Sequence, residues 1–104
     1  MEIIVRKYGG TSLDSIAKIK KIAETTKKSI DQGKKIVLVV SAMGKSTDEL
    51  LKKAKMLSKH ANTRELDLLM SSGEIVSSAL MSIALQELGL KAISLTGFQA
   101  GIDT

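Results

Sequence analysis

The sequence contains no cysteine and no proline, and among its 104 residues it has one histidine, one tyrosine and one phenylalanine. Without cysteine there can be no disulfide framework and no thiolate metal site, and His60 alone cannot build a zinc site. Tyr8 and Phe98 are too few rings to stack a run of bases. These absences disfavour a disulfide-stabilised domain, a zinc domain and a nucleic-acid-binding module.

The formal net charge of +5 does not change this conclusion. The lysines are spread over residues 18–28 and 52–59, where they alternate with apolar positions as on solvated helix faces. The longest unbroken apolar run, residues 36–40, is too short to cross a bilayer, and the N-terminus does not resemble a signal peptide. We therefore expect a cytoplasmic protein with no nucleic-acid or membrane partner.

Three short apolar segments predict β-strands, at residues 3–5, 36–40 and 91–95. The second is apolar on both faces, as in a central parallel strand, so helices should cover both faces of the sheet.

Helical periodicity fills the intervals between these strands. It predicts a first helix from Leu13 to a stop at Gly33, and a second opened by a capping box at residues 46–49. The second helix should bury a stripe made of Leu50, Ala54, Leu57 and Ala61. A third helical region, residues 66–88, should be interrupted at residues 71–73 and stopped by Gly89. This order predicts an α/β fold, a three-layer αβα arrangement with a mainly parallel sheet.

Small polar residues and glycines follow each predicted strand, at residues 7–12, 41–44 and 96–97. The carboxyl ends of parallel strands form the edge at which α/β sheets bind ligands, so these three loops predict a site there. At the first of them, Lys7 offers a positive charge while Gly9 and Gly10 bring backbone N–H groups close, a combination suited to phosphate. The alternative is an ordinary strand-to-helix turn capped by Thr11 or Ser12.

Familiar phosphate and hydrolase motifs are absent from the sequence. Gly44-Lys45-Ser46 lacks the earlier glycine of a Walker A loop, since Val39 holds that position. Neither Gly-x-Gly-x-x-Gly nor the Gly-x-Ser-x-Gly nucleophile elbow occurs. A nucleotide site, if present, is of another type.

Four blocks in order along the chain resemble the aspartate kinases of the amino acid kinase superfamily. The blocks are Lys7-Tyr8-Gly9-Gly10-Thr11-Ser12; Val39-Val40-Ser41-Ala42-Met43-Gly44 with Thr47-Asp48-Glu49-Leu50; Leu69-Met70-Ser71-Ser72-Gly73-Glu74; and Ser94-Leu95-Thr96-Gly97-Phe98-Gln99-Ala100-Gly101-Ile102. Ser72 stands where the family usually has threonine. The resemblance implies transfer of the ATP γ-phosphoryl group to the side-chain carboxylate of L-aspartate, with Mg²⁺, at the start of lysine, threonine and methionine synthesis.

The same resemblance assigns roles to individual residues. Lys7 would be catalytic and would bind the ATP phosphates together with Tyr8, Gly9 and Gly10. The acceptor would be held by Ser41, Thr47 and Glu74, and no residue is expected to bind a metal. Each role has a structural alternative: Lys7 as a solvated lysine beside a turn, Thr47 as part of a helix cap, Glu74 as an acid in the first turn of a helix.

Aspartate kinases are much longer than this chain, so the resemblance predicts that residues 1–104 form part of an amino acid kinase domain, its acceptor-binding half. The half with the adenine and ribose site, through which ATP would bind, and the regulatory ACT domains would be missing, and the chain alone is expected to be inactive. It would form a homo-oligomer or associate with a complementing C-terminal chain. A non-catalytic module that keeps the fold to bind a ligand or partner chain is the alternative.

Overall fold

The computed structural model describes residues 3–94, without the side chains at positions 44 and 46. The elements in chain order are β1 (Ile3–Tyr8), a 3₁₀ turn (Gly10–Leu13), α1 (Ile16–Asp31), β2 (Lys35–Val40), α2 (Gly44–Leu57) and α3 (Thr63–Glu87).

The two strands pair in parallel, with Ile3 opposite Lys35 and Tyr8 opposite Val40. Helix α1 connects them as the crossover that parallel neighbours require. The predicted strands at residues 3–5 and 36–40 are therefore confirmed, the first three residues longer than expected. The α/β class with a parallel sheet is confirmed as well.

The two faces of this sheet differ in the described part of the chain. One face is half-buried, and there Tyr8, Leu38 and Val40 pack against the hydrophobic core. On the other face, Val5 and Val37 are 58% and 48% exposed. The helices of residues 3–94 thus cover one face of the sheet. This arrangement is consistent with an αβα architecture, in which a second layer of helices covers the other face.

The core forms where α1, the 3₁₀ turn and α3 meet the covered face. Its buried members are Leu13, Ile19, Ile22, Ala23 and Met81. Leu13 is 1% exposed, so the segment directly after the glycine loop is anchored in the core. Burial of such a side chain stabilises the fold by about 2 kcal/mol.

Helix α1 ends as predicted but begins later. Gly33 has a φ of +89°, the left-handed conformation in which glycine ends a helix. The start lies at Ile16, where the Ser15 side chain accepts a hydrogen bond from the Lys18 N–H. Leu13 belongs to the preceding 3₁₀ turn, so the expectation that the helix starts there, capped by Thr11 or Ser12, is wrong.

The capping box predicted for α2 is also wrong. The helix begins at Gly44 with Met43 as its N-cap, so residues 46–49 lie inside it. Its buried stripe is shorter than predicted, because Ala54 is buried while Leu57 is 90% exposed and Ala61 lies beyond the helix end.

Helix α3 is continuous, which corrects the predicted break at residues 71–73. The hydroxyls of Ser71 and Ser72 donate to the carbonyls of Asp67 and Leu69, so both side chains are satisfied within the helix. Gly73 is buried at a close contact with another segment. The stop at Gly89, with a φ of +84°, is confirmed.

Residues 91–94 do not form the predicted third strand. Their polar groups bond to α3: the Gln86 side chain donates to the Ala92 carbonyl at 2.9 Å, and the Ser94 hydroxyl donates to the Ser78 carbonyl at 3.0 Å. A strand needs a neighbouring strand to take up its backbone groups, whereas the Ala92 carbonyl is bonded to a side chain of α3. Leu95, the last residue of the predicted strand, lies outside the described residues.

By length and composition alone, α3 could cross a membrane. Its most apolar stretch of 18 residues has a mean hydropathy of 1.5, and 17% of that stretch is buried. The helix packs against α1, α2 and β2, and its buried positions face them. We therefore interpret it as a core helix of the α/β fold that keeps apolar residues on more than one side.

Candidate functional site

The loops after β1 and β2 are joined at the carboxyl edge of the sheet. The Ser41 N–H donates to the Tyr8 carbonyl at 3.1 Å, and the Ser41 hydroxyl lies 3.5 Å from the same oxygen. A Cβ placed on Gly9 would lie 3.9 Å from the Ser41 hydroxyl oxygen. Two of the loops predicted to meet are thus in contact.

Helix α3 reaches the same edge through Gly73. A Cβ on Gly73 would lie 2.8 Å from the Cβ of Ala42, the residue after Ser41. Glu74 follows directly in the helix, with its side chain exposed. The structure therefore brings the Lys7–Gly10 segment, Ser41 and the Gly73–Glu74 pair to one end of the sheet. The third predicted loop, residues 96–97, lies outside the described residues.

Lys7 lies at the end of β1, opposite Val39 in the register, with its side chain exposed. It shares the uncovered face of the sheet with Val5, because alternate strand residues share a face. Among the ion pairs found in residues 3–94, none includes Lys7. The ammonium group is thus available at the carboxyl edge.

Tyr8 points to the opposite face. Its ring packs against the core and its carbonyl accepts the Ser41 bonds, so Tyr8 ties the two strand ends together. The ring also lines a surface groove of about 270 Å³ beside α1, together with Ser12, Lys18 and Lys21. A direct role in binding phosphate stays a prediction for Tyr8.

At Gly9 the fold itself does not require glycine. Its φ of −101° is open to any residue, and the contact of an added Cβ with Ser41 would be of ordinary length. A glycine with neither a left-handed backbone nor a crowded neighbour leaves an open backbone surface, to which a ligand can come close. Gly10, next in the chain, begins the 3₁₀ turn.

The loop is held by contacts that the sequence analysis did not identify. The Lys18 ammonium donates to the Thr11 carbonyl at 2.8 Å and pairs with Asp14 at 2.9 Å. The spacing of four residues between Asp14 and Lys18 was the available signal. The 3₁₀ turn separates the glycines from α1.

Thr47 lies in the first turn of α2, half-buried, and its N–H donates to the Met43 carbonyl at 3.3 Å. Because the N-cap is Met43, the interpretation of Thr47 as a helix cap is wrong. A groove of about 270 Å³ separates α2 from α3, lined by Glu49, Lys53 and Gly73 among others.

The structural alternative for Glu74 is wrong as well. Helix α3 begins at Thr63, so Glu74 lies in its interior, far from the first turn in which an acid complements the helix dipole. Its carboxylate is exposed, and the ion pairs found in residues 3–94 do not involve it. The helix-dipole explanation therefore does not apply to this acid.

The described residues contain no group of three or more His, Asp or Glu side chains that could hold a metal ion. The donor set around Lys7 and Gly9 suits an anion.

A model of the amino acid kinase family matches residues 2–104. The chain belongs to the amino acid kinase family. It is 53% identical over 104 residues to an aspartokinase of Geobacillus stearothermophilus and 50% identical to aspartokinase 2 of Bacillus subtilis strain 168. Each match covers all of this chain and 26% of the relative. The resemblance to aspartate kinases in their N-terminal portion is thus confirmed.

A solved amino acid kinase has the same fold. The crystal structure of aspartate kinase from Synechocystis superposes with a TM-score of 0.87 at 47% sequence identity, covering 91% of this chain and 16% of that one. The chain spans about a quarter of the length of the curated relatives it matches.

Proposed function

We propose that this chain is part of an aspartate kinase, which transfers the ATP γ-phosphoryl group to the side-chain carboxylate of L-aspartate and yields 4-phospho-L-aspartate for lysine, threonine and methionine biosynthesis. The main support is that the chain is about half identical in sequence to aspartokinases, and that the segments carrying Lys7, Ser41 and Glu74 reach one edge of its sheet. Residues 1–104 would form the acceptor-binding part of the kinase domain.

Lys7 and the glycines would act on the phosphate. Phosphoryl transfer depends on positioning and charge neutralisation more than on a nucleophilic side chain. The exposed Lys7 ammonium would stabilise negative charge on the phosphoryl group, while the open surface at Gly9 would let the phosphate approach the backbone N–H groups of Gly9 and Gly10. Tyr8 would keep this segment against Ser41.

Ser41, Thr47 and Glu74 would hold the acceptor. A carboxylate is the natural partner of the α-ammonium group of aspartate, and hydroxyls can donate to its carboxylates. Glu74 is exposed in a helix interior beside the Gly73–Ala42 contact, so its carboxylate would be accessible to the acceptor.

ATP and Mg²⁺ are proposed as cofactors. The phosphate end of ATP would lie against the Lys7–Gly10 segment, whereas the described residues offer no cluster of acids for the metal. Mg²⁺ commonly binds through substrate phosphates with few protein ligands, so it would arrive with the nucleotide. A cytoplasmic location accords with a reaction that uses ATP.

The reaction is best tested in a chimera in which this chain replaces the matching segment of the Geobacillus stearothermophilus aspartokinase. We expect acyl phosphate formation that requires ATP, Mg²⁺ and L-aspartate, and none from the chain alone. A folded chimera, verified by its thermal unfolding, that forms no acyl phosphate would contradict the proposal and favour a non-catalytic binding module.

We also propose that the chain associates with a second copy or a complementing C-terminal chain through the uncovered sheet face. Ile3, Val5 and Val37 are between 48% and 65% exposed there, and exposed apolar strands favour association. Size-exclusion chromatography of the chain should show oligomers, and Val37→Glu should shift them toward monomer. Lys20→Glu, a charge change at an exposed position of α1 and away from the sheet face, is the control, and a monomeric wild-type chain would contradict the proposal.

A further inference from the structure

Gly73 lies where α3 comes close to the loop after β2. A Cβ there would lie 2.8 Å from the Ala42 Cβ and 3.9 Å from the Ala42 Cα, and a Cβ separation below 3.0 Å requires one of the two segments to move. The buried residues of α3 are Gly73, Ser77 and Met81, spaced four residues apart and increasing in size along the helix. The helix therefore contacts Ala42 at a position that has no side chain.

Other reasons for a glycine at this position do not apply. The backbone of Gly73 is helical, and the two glycines with positive φ in the described chain are Gly33 and Gly89. In a helix interior, glycine is less favourable than alanine. Its presence is therefore explained by the space that Ala42 takes.

The residues on either side of this contact are those to which the proposed function assigns the acceptor. Ser41 precedes Ala42 and is fixed to β1 by its bond to the Tyr8 carbonyl, and Glu74 follows Gly73 in a continuous helix. The Gly73–Ala42 contact thus fixes the position of the Glu74 backbone relative to the Ser41 backbone.

We propose that Gly73 is a positioning residue for the aspartate site: by having no side chain, it lets α3 approach Ala42 closely enough for Ser41 and Glu74 to bind one acceptor molecule. This inference rests on the proposed function. A methyl group at position 73 would push the helix away from the loop by a fraction of an ångström or more, and Glu74 would move with it.

The test is a cycle of Gly73→Ala, Ala42→Gly and the double variant in the chimera described above. Gly73→Ala should lower kcat/KM for aspartate about tenfold or more, mainly through a higher aspartate KM, because misplacement by about 1 Å can cost even more. The KM for ATP should change little. In the double variant the colliding Ala42 methyl is absent, so the aspartate KM should return toward the wild-type value.

Ala23→Gly provides a control for loss of stability alone. Ala23 is 1% exposed in α1, away from this contact, so its replacement should lower the midpoint of thermal unfolding and leave the aspartate KM unchanged. If Gly73→Ala does not fold, the double variant still tests the inference, since it should fold and bind aspartate.

Two results would overturn the inference: a Gly73→Ala variant with an unchanged aspartate KM, or a double variant that recovers its unfolding midpoint but not its aspartate KM. Inactivity of the wild-type chimera would instead reject the proposed function, so the two failures are distinguishable.

Discussion

The Gly9 loop and the middle of α3 reach the same edge of the sheet, and each does so with a glycine. At position 73 an added Cβ would collide with Ala42 at 2.8 Å, whereas at position 9 it would meet only the Ser41 hydroxyl at 3.9 Å. Gly73 is buried and Gly9 is exposed. Packing therefore accounts for the first glycine, while the described fold leaves the second unexplained and compatible with an approaching ligand.

The neighbours of these glycines show the same contrast. Lys7 and Glu74 are both exposed charges at the edge, but Lys7 ends a strand beside an open loop and Glu74 sits on a helix held against Ala42. We expect Lys7 to act on the transferring group and Glu74 to act on binding of the acceptor. Substitutions at these positions test that division.

Lys7→Ala in the active chimera should have the largest effect, a loss of about a hundredfold or more in kcat, because its charge is best matched in the transition state. Steady-state kinetics with ATP and aspartate varied in turn would measure it. Lys35→Ala is the matched control: Lys35 is an exposed lysine on the same sheet face, at the opposite end of the paired strands, and its loss should leave kcat unchanged. Equal losses from both variants would mean that Lys7 is merely a solvated lysine.

Glu74→Ala should raise the aspartate KM by about thirtyfold, the equivalent of roughly 2 kcal/mol for a charged hydrogen bond, with little change in the KM for ATP. The reason is that a partner of the ammonium group binds ground state and transition state alike. Glu87→Ala, which removes an exposed acid at the end of the same helix, should change neither constant. An unaltered aspartate KM in Glu74→Ala would remove Glu74 from the acceptor site.

The sequence correctly predicted features that depend on residues close together along the chain. Glycine stops such as Gly33, the β-rich run of β2 and the polar residues after each strand each act within a few positions. From them the parallel α/β fold and the meeting of the loops at Tyr8 and Ser41 could be predicted.

Two of the errors concern residues that contact segments distant in the sequence. Ser71, Ser72 and Gly73 read as a helix break, yet two hydroxyl bonds within the helix and the fit against Ala42 keep α3 continuous. The third strand is also absent from residues 91–94, where the Ser94 hydroxyl bonds to α3. Neither contact can be seen from residue spacing alone.

Gly9→Ala should have the smallest effect on stability. It also tests directly whether Gly9, unlike Gly73, is dispensable for packing. With a φ of −101° and no crowded neighbour, alanine fits at this position, so the free energy of unfolding should change by less than about 0.5 kcal/mol. Gly33→Ala, at a φ of +89°, is the control and should destabilise the fold by about 1 kcal/mol or more.

In the chimera, Gly9→Ala should nevertheless raise the KM for ATP, because the new methyl group stands where the phosphate would approach the backbone. Urea unfolding of Gly9→Ala and Gly33→Ala, with ATP titration of Gly9→Ala, would show whether Gly9 serves ligand binding or packing. A destabilised Gly9→Ala variant with an unchanged KM for ATP would mean that this glycine, like Gly73, serves the fold.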